Sequence, residues 1–226
     1  SPAPTSPSSG DPAPAPTDSA SPPPAAAPIL PADGPLDRLG RDPAANALAL
    51  IVLAGMLVVL AWAGVEVGRA GAGLVARPPS AIIPGLAIIG LGVAGYLAFV
   101  ETAAVDAVCG PVGDCNTVQQ SEFARLFGVV PIGVLGLGAY VAILVAWVVG
   151  ARATPPAARV ARLALLATAF GGAAFSVYLT FLEPFVIGAT CAWCLASAVL
   201  ITGILGAGVR SMTAPRTSMS SSAAVP

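Results

Sequence analysis

The chain has 226 residues, of which 56% are hydrophobic and only 9% charged, with a net charge of −1 and no histidine. A soluble domain carries about 25% charged residues, so this chain has too few to coat a water-facing surface. Ten arginines without a lysine form no basic stripe, which excludes a nucleic-acid binder. The missing imidazole removes Ser-His and Cys-His nucleophile pairs and most catalytic zinc sites.

Residues 1–43 hold 13 of the 23 prolines, with Ala, Ser, Asp and Thr between them. Such a stretch has too little to bury to offset its ordering entropy, and a disordered tail is expected. It lacks the charged start and short apolar core of a secretory signal. Five apolar stretches follow, near 44–65, 81–100, 129–150, 160–182 and 190–209. Each has about 20 residues, enough to cross a hydrocarbon core of roughly 30 Å as a helix. An all-α membrane protein is therefore expected. Glycines at 85, 90, 92, 95, 133, 136 and 138 suit close helix packing. Residues 211–226 read as a second disordered tail.

Arg69, Arg77, Arg152, Arg159, Arg162, Arg210 and Arg216 all fall on one side of these spans. The positive-inside rule makes that side cytoplasmic. The other side receives the amino-terminal tail, the loop 101–128 and the link 183–190. Among its acidic residues, Glu101, Asp106, Asp114 and Glu183 flank the spans and read as solvated, with a proton relay as the alternative for one of them.

The four cysteines, at 109, 115, 191 and 194, all face this second, non-cytoplasmic side. Disulfides persist in such compartments. Two Gly and a Pro between Cys109 and Cys115 favour a tight reversal that lets a disulfide form. The small ring is only modestly stabilised, which suits exchange, although a structural staple has the same pattern. Cys191-Ala192-Trp193-Cys194 is a Cys-x-x-Cys at a helix start, with Thr190 as the expected N-cap. Free amides of the first turn lower a cysteine pKa there, and thiolate is what attacks disulfides. Half of a Cys₄ zinc site is the competing reading, against which the wide first spacing counts.

The run CGPVGDCNTVQQSEFARLF at 109–127, SVYL at 176–179 and the Cys-x-x-Cys at 191–194 together resemble the vitamin K epoxide reductase family, its bacterial members in particular. The resemblance covers 81–209. It implies a four-helix transmembrane redox core with the span 44–65 as an additional amino-terminal helix. It also implies a quinone-linked thiol oxidoreductase in a bacterial cytoplasmic membrane, with its cysteines outside the cytoplasm. Electrons would pass from a thioredoxin-like partner to Cys109/Cys115, then to Cys191/Cys194, then to menaquinone or ubiquinone. Cys194 would lie nearest the quinone and Cys191 would exchange with the loop pair. Ser121 matches the family's supporting loop Ser/Thr, and 116–127 its short half-helix over the quinone pocket. Trp193 is expected either against the quinone ring or in an interfacial belt; Tyr96, Tyr140 and Tyr178 either line the pocket or pack.

Two departures shape the expectation. Ala198 stands where animal members carry a Tyr, which favours plain quinone over an epoxide. The tail after the fifth span is too short for a fused thioredoxin-like domain, so a separate partner is expected. Competing functions are vitamin K epoxide recycling and a non-catalytic membrane protein with structural disulfides. The other quinone-linked disulfide generator of bacteria has its close pair first, the reverse of the order here.

Overall fold

The computed structural model describes residues 34–110 and 113–213. Helix α1 (Pro35–Leu39) leads into α2 (Pro43–Ala70). Then come α3 (Ile82–Ala103), the short α4 (Cys115–Gln119), α5 (Ile132–Arg152), α6 (Pro155–Leu182) and α7 (Ala192–Met212). A two-residue hairpin, β1 (Arg125–Leu126) with β2 (Val130–Pro131), pairs antiparallel just before α5. Helices α2, α3, α5, α6 and α7 are long and apolar enough to cross a membrane. The chain is an all-α, multi-pass membrane protein.

Four of these helices close a ring: α3 packs on α5 and α7, and α6 packs on the same two. The fifth, α2, lies outside against α6 and α7. Its apolar residues spread around the whole helix, as expected where lipid rather than water is the neighbour. The ring's core joins Ile83, Ala87, Ala94, Tyr140, Ile143, Leu165, Ile201 and Ile204. Lipid tails are as apolar as these side chains, so packing rather than water exclusion holds the helices together.

Small residues permit that packing, most tightly at Gly90 and Gly133. A Cβ at Gly133 would meet the Leu97–Ala98 backbone, and one at Gly90 would overlap the Tyr140 ring. Gly85, Gly92 and Gly138, grouped with them in the sequence, have nothing within 4 Å and do no packing. Tyr140 reaches across to α7, where its hydroxyl donates to the Ser197 carbonyl at 3.0 Å.

The two ends of the ring differ in chemistry. At one end Arg162 donates from Nε to the Gly150 carbonyl at 2.7 Å, and the Arg77 amide donates to Met212. All four cysteines lie at the other end, where α3 and α6 finish and α5 and α7 begin.

The tail inferred for 1–43 needs correction at its last ten residues; 1–33 lie outside the described residues, as do 214–226 of the second tail. Residues 34–43 are ordered. Arg38 donates from Nη1 to the Val186 carbonyl at 2.8 Å, and Asp42 caps α2 by accepting the Ala45 amide at 3.0 Å. Proline content misleads here because Pro35 and Pro43 sit in first helical turns, where a missing N–H costs nothing.

Candidate functional site

Helix α6 ends in a π-helical turn, Glu183–Ile187, closed by Gly188 at φ +77°. The left-handed glycine turns the chain back towards α7. Cys191 is the N-cap of α7, and its sulfur accepts the Cys194 amide at 3.4 Å. The expected cap, Thr190, is instead buried, with its hydroxyl donating to Asn46 Oδ1 at 3.0 Å. A hydrogen bond from the Cys194 thiol, helped by the Cys194 and Trp193 amides, holds the Cys191 thiol below the usual cysteine range against the opposing effect of burial. The two amides are the helix-start contribution expected of the motif, and the neighbouring thiol adds the larger one.

Cys109 and Cys115 are joined by a disulfide, Cα to Cα 6.0 Å, while Cys191 and Cys194 are free thiols. Cys115 opens α4 and is fully buried, whereas Cys109 is half-exposed. Asp114 caps α4 by accepting the Thr117 hydroxyl at 2.6 Å and its amide at 3.1 Å. These two bonds hold its carboxyl below the usual aspartate range. The Asp114 amide donates to the Thr190 carbonyl at 3.0 Å, tying the disulfide ring to the start of α7. Cys115 and Cys191, both fully buried, share one apolar cluster with Val100, Ala107 and Val118, and Cys109 and Cys194 pack on its edge.

Cys194 faces the other way, into a cavity of about 310 Å³ inside the helix ring. The walls are Leu97, Gly136, Ala139, Phe175, Leu179 and their apolar neighbours. Among its polar lining residues, Glu101, Gln119, Ser121, Glu183 and Cys194 lie at the cysteine end of the ring. Gln119 Nε2 is buried with no partner. Glu183, only 2% exposed, accepts the Cys191 amide at 3.1 Å through Oε2. Glu101 accepts the Gly133 amide at 2.7 Å through Oε2.

Residues 81–207, more than half of the chain, match the model of the vitamin K epoxide reductase family. The chain belongs to this family. No curated protein and no solved structure matches the chain. As a vitamin K epoxide reductase family member the protein is a membrane oxidoreductase, of a family linked to quinones in general. The cavity suits such a molecule. Its walls match a flat apolar ring, and the unpartnered Gln119 amide is a donor for a ring carbonyl.

Ser121 lines the same cavity as Cys194, but its hydroxyl donates to the Val118 carbonyl at 2.7 Å rather than to a cysteine. That bond competes with the helical ladder. The half-helix expected over 116–127 accordingly stops at Gln119, gives one 3₁₀ turn (Glu122–Ala124) and ends in the hairpin. Trp193 does not line the cavity. Its ring packs on Tyr96, centroids 4.9 Å apart, and its Nε1 donates to the Val108 carbonyl at 2.9 Å. The Tyr96 hydroxyl accepts the Val108 amide at 2.7 Å, so both polar atoms of the residue before Cys109 are held. Tyr140 lines the cavity and Tyr178 does not.

Glu183, read from sequence as solvated, is the largest correction. Hydropathy places it at a helix end, and only the π-helical turn folds it inward. Gln119, Asp42 and Asn46 were missed as site residues. Asp42 had a legible signal, an Asp immediately before a Pro that opens an apolar run.

Proposed function

We propose that the protein oxidises the thiols of a separate thioredoxin-like protein and passes the electrons to menaquinone or ubiquinone, supporting disulfide formation outside the cytoplasm. The observation that carries this reading is the division of the cysteines. Cys194 lines the cavity, Cys191 and Cys115 are buried together, and Cys109 alone of the loop pair meets solvent.

The partner's thiolate attacks Cys109, and its second thiol completes a disulfide in the partner, leaving Cys109 and Cys115 as thiols. The Cys115 thiolate then attacks Cys191 of the Cys191–Cys194 disulfide and releases Cys194. Cys109 attacks Cys115 in the mixed disulfide, restores the loop disulfide and releases Cys191. Two electrons and two protons now reside on Cys191 and Cys194. The quinone supplies the two-electron sink. Re-forming the Cys191–Cys194 disulfide gives up both electrons and both protons to it. Cys194 is the thiol on the cavity side, and Glu183, which lines the cavity and bonds the Cys191 backbone, is the group to carry a proton. Ala198 lies in the cavity wall at the position where animal members carry a Tyr, and the lack of a hydroxyl there favours plain quinone over an epoxide.

The arginines at the opposite end of the bundle support an orientation with the cysteines outside the cytoplasm of a bacterial membrane. The test is quinone reduction by purified protein in detergent with a reduced thioredoxin-like donor. Turnover in wild type and none in Cys191→Ala is expected. Equal turnover in both overturns the electron path, and no turnover with any quinone, with all four cysteines locked in stable disulfides, favours a structural role for them.

A further inference from the structure

The segment 35–46 lies outside the family match, yet it touches both redox loops. Asp42 accepts the Ala45 amide through Oδ1 and, through Oδ2, the Gly113 amide at 3.1 Å, inside the Cys109–Cys115 ring. Asn46, 1% exposed, accepts the Thr190 hydroxyl at 3.0 Å, one residue before Cys191. Its Nδ2 donates to the Arg38 and Leu39 carbonyls at 3.3 and 3.0 Å. Arg38 in turn holds the Phe185 and Val186 carbonyls of the π-helical turn. Thr190 is thus gripped from two sides, its hydroxyl by Asn46 and its carbonyl by the Asp114 amide. Gly113 sits at φ +88° so close to the Thr190 carbonyl that a Cβ would collide with it.

We infer that Asp42 and Asn46 are positioning residues of the redox site, holding the loop disulfide and the start of α7 in register for exchange between Cys115 and Cys191. Both contacts are polar, directional and fixed on the first turn of one helix. The two exchanging loops otherwise meet through the Asp114–Thr190 backbone bond and the apolar cluster around Cys115 and Cys191. A disulfide exchange needs the attacking sulfur in line with the bond it breaks, and small displacements cost rate steeply. The amino-terminal helix therefore serves the step between the pairs, not the encounter with the partner nor the quinone step. In that step the Cys115 thiolate forms a bond to Cys191 and Cys194 leaves as thiolate; no other reactant is required. The inference rests on the electron path proposed above.

The full-length protein is tested with the loop pair reduced by one equivalent of a reduced thioredoxin-like protein, quenched in acid over time and alkylated. Mass spectrometry then reads which pair carries the thiols. Asp42→Asn retains an oxygen for the α2 cap while turning an amide towards the Gly113 N–H; Thr190→Val removes the hydroxyl that Asn46 accepts. Both variants should transfer electrons from the loop pair to Cys191/Cys194 about tenfold more slowly. The rate of loop reduction by the donor and the KM for quinone should stay at wild-type values. Unchanged internal transfer in both variants overturns the inference and leaves the electron path standing. Equal losses in all three steps also overturn it, since that pattern marks general destabilisation. Wild-type protein that never moves electrons between the pairs overturns the electron path, and this inference with it.

Discussion

Replacing Glu183 separates a proton carrier from a structural acceptor. The side chain is almost fully buried, and its one hydrogen bond to the backbone comes from Cys191, itself fully buried. Glu183→Gln keeps the length, the volume and an oxygen for the Cys191 amide, and removes only the titratable proton. A buried carboxylate is expensive at membrane depth, so the variant should be as stable as wild type or more stable. Glu183→Ala also deletes the acceptor. It leaves a buried amide unsatisfied, at a cost of about 1–3 kcal/mol, before the cavity term. A positioned acid or base contributes typically about 10²–10⁴-fold to a proton-transfer step. The quinone half-reaction of Glu183→Gln should accordingly slow by about 100-fold, with transfer between the cysteine pairs unchanged. The assay is single-turnover oxidation of pre-reduced protein by quinone, followed by quinone absorbance, beside a thermal melt of each variant. A Glu183→Gln rate within twofold of wild type would refute the proton role. A melt in which Glu183→Ala matches Glu183→Gln would refute the structural one.

Cys109→Ser, reduced at Cys115 and mixed with oxidised Cys191–Cys194, should accumulate a Cys115–Cys191 bond, because the resolving thiol is gone; peptide mapping showing Cys115 joined to Cys194 would reverse the assigned order. Gly133→Ala should destabilise by about 1–3 kcal/mol through overpacking, read as a lower melting temperature, since its Cβ would sit 2.5, 2.8 and 2.9 Å from Ala98 N, Leu97 C and Ala98 Cα. Gly92→Ala, with nothing within 4 Å, should be neutral or stabilising. At Asp114 the Thr117 hydrogen bonds lower the carboxyl pKa, so their stabilisation is fully present above the usual aspartate value of about 3.9 and is lost as pH falls through the depressed one. The melting-temperature gap between wild type and Thr117→Val should therefore close in acid, and a gap that is the same at pH 6 and below pH 3 would contradict the cap.

The spans, the shared side of the cysteines and the membrane class follow from local composition. A run of twenty apolar residues becomes a helix in lipid, because that is the one shape in which a single segment satisfies its own backbone there. Counting spans then fixes which loops share a side. The Cys-x-x-Cys helix start is equally local, since the depressed thiol of Cys191 comes from groups within three residues of it.

Tertiary structure alone decided the rest, because these outcomes depend on contacts between distant segments. Glu183 and Asp106 look alike in sequence, each an acid beyond a span, yet only Glu183 is folded inward by a π-helical turn to meet Cys191. Trp193 is committed to Tyr96 and Val108, 97 and 85 residues away in the chain, rather than to the cavity. Neither partner can be paired with it by periodicity. Asp42 is legible as a helix cap, but its second oxygen finds Gly113 only because α2 stands against the ring near the end of α6. A hydrogen bond spanning 71 residues leaves no trace in either segment's composition, and so the ordered end of a proline-rich tail becomes part of the site only once the chain is folded.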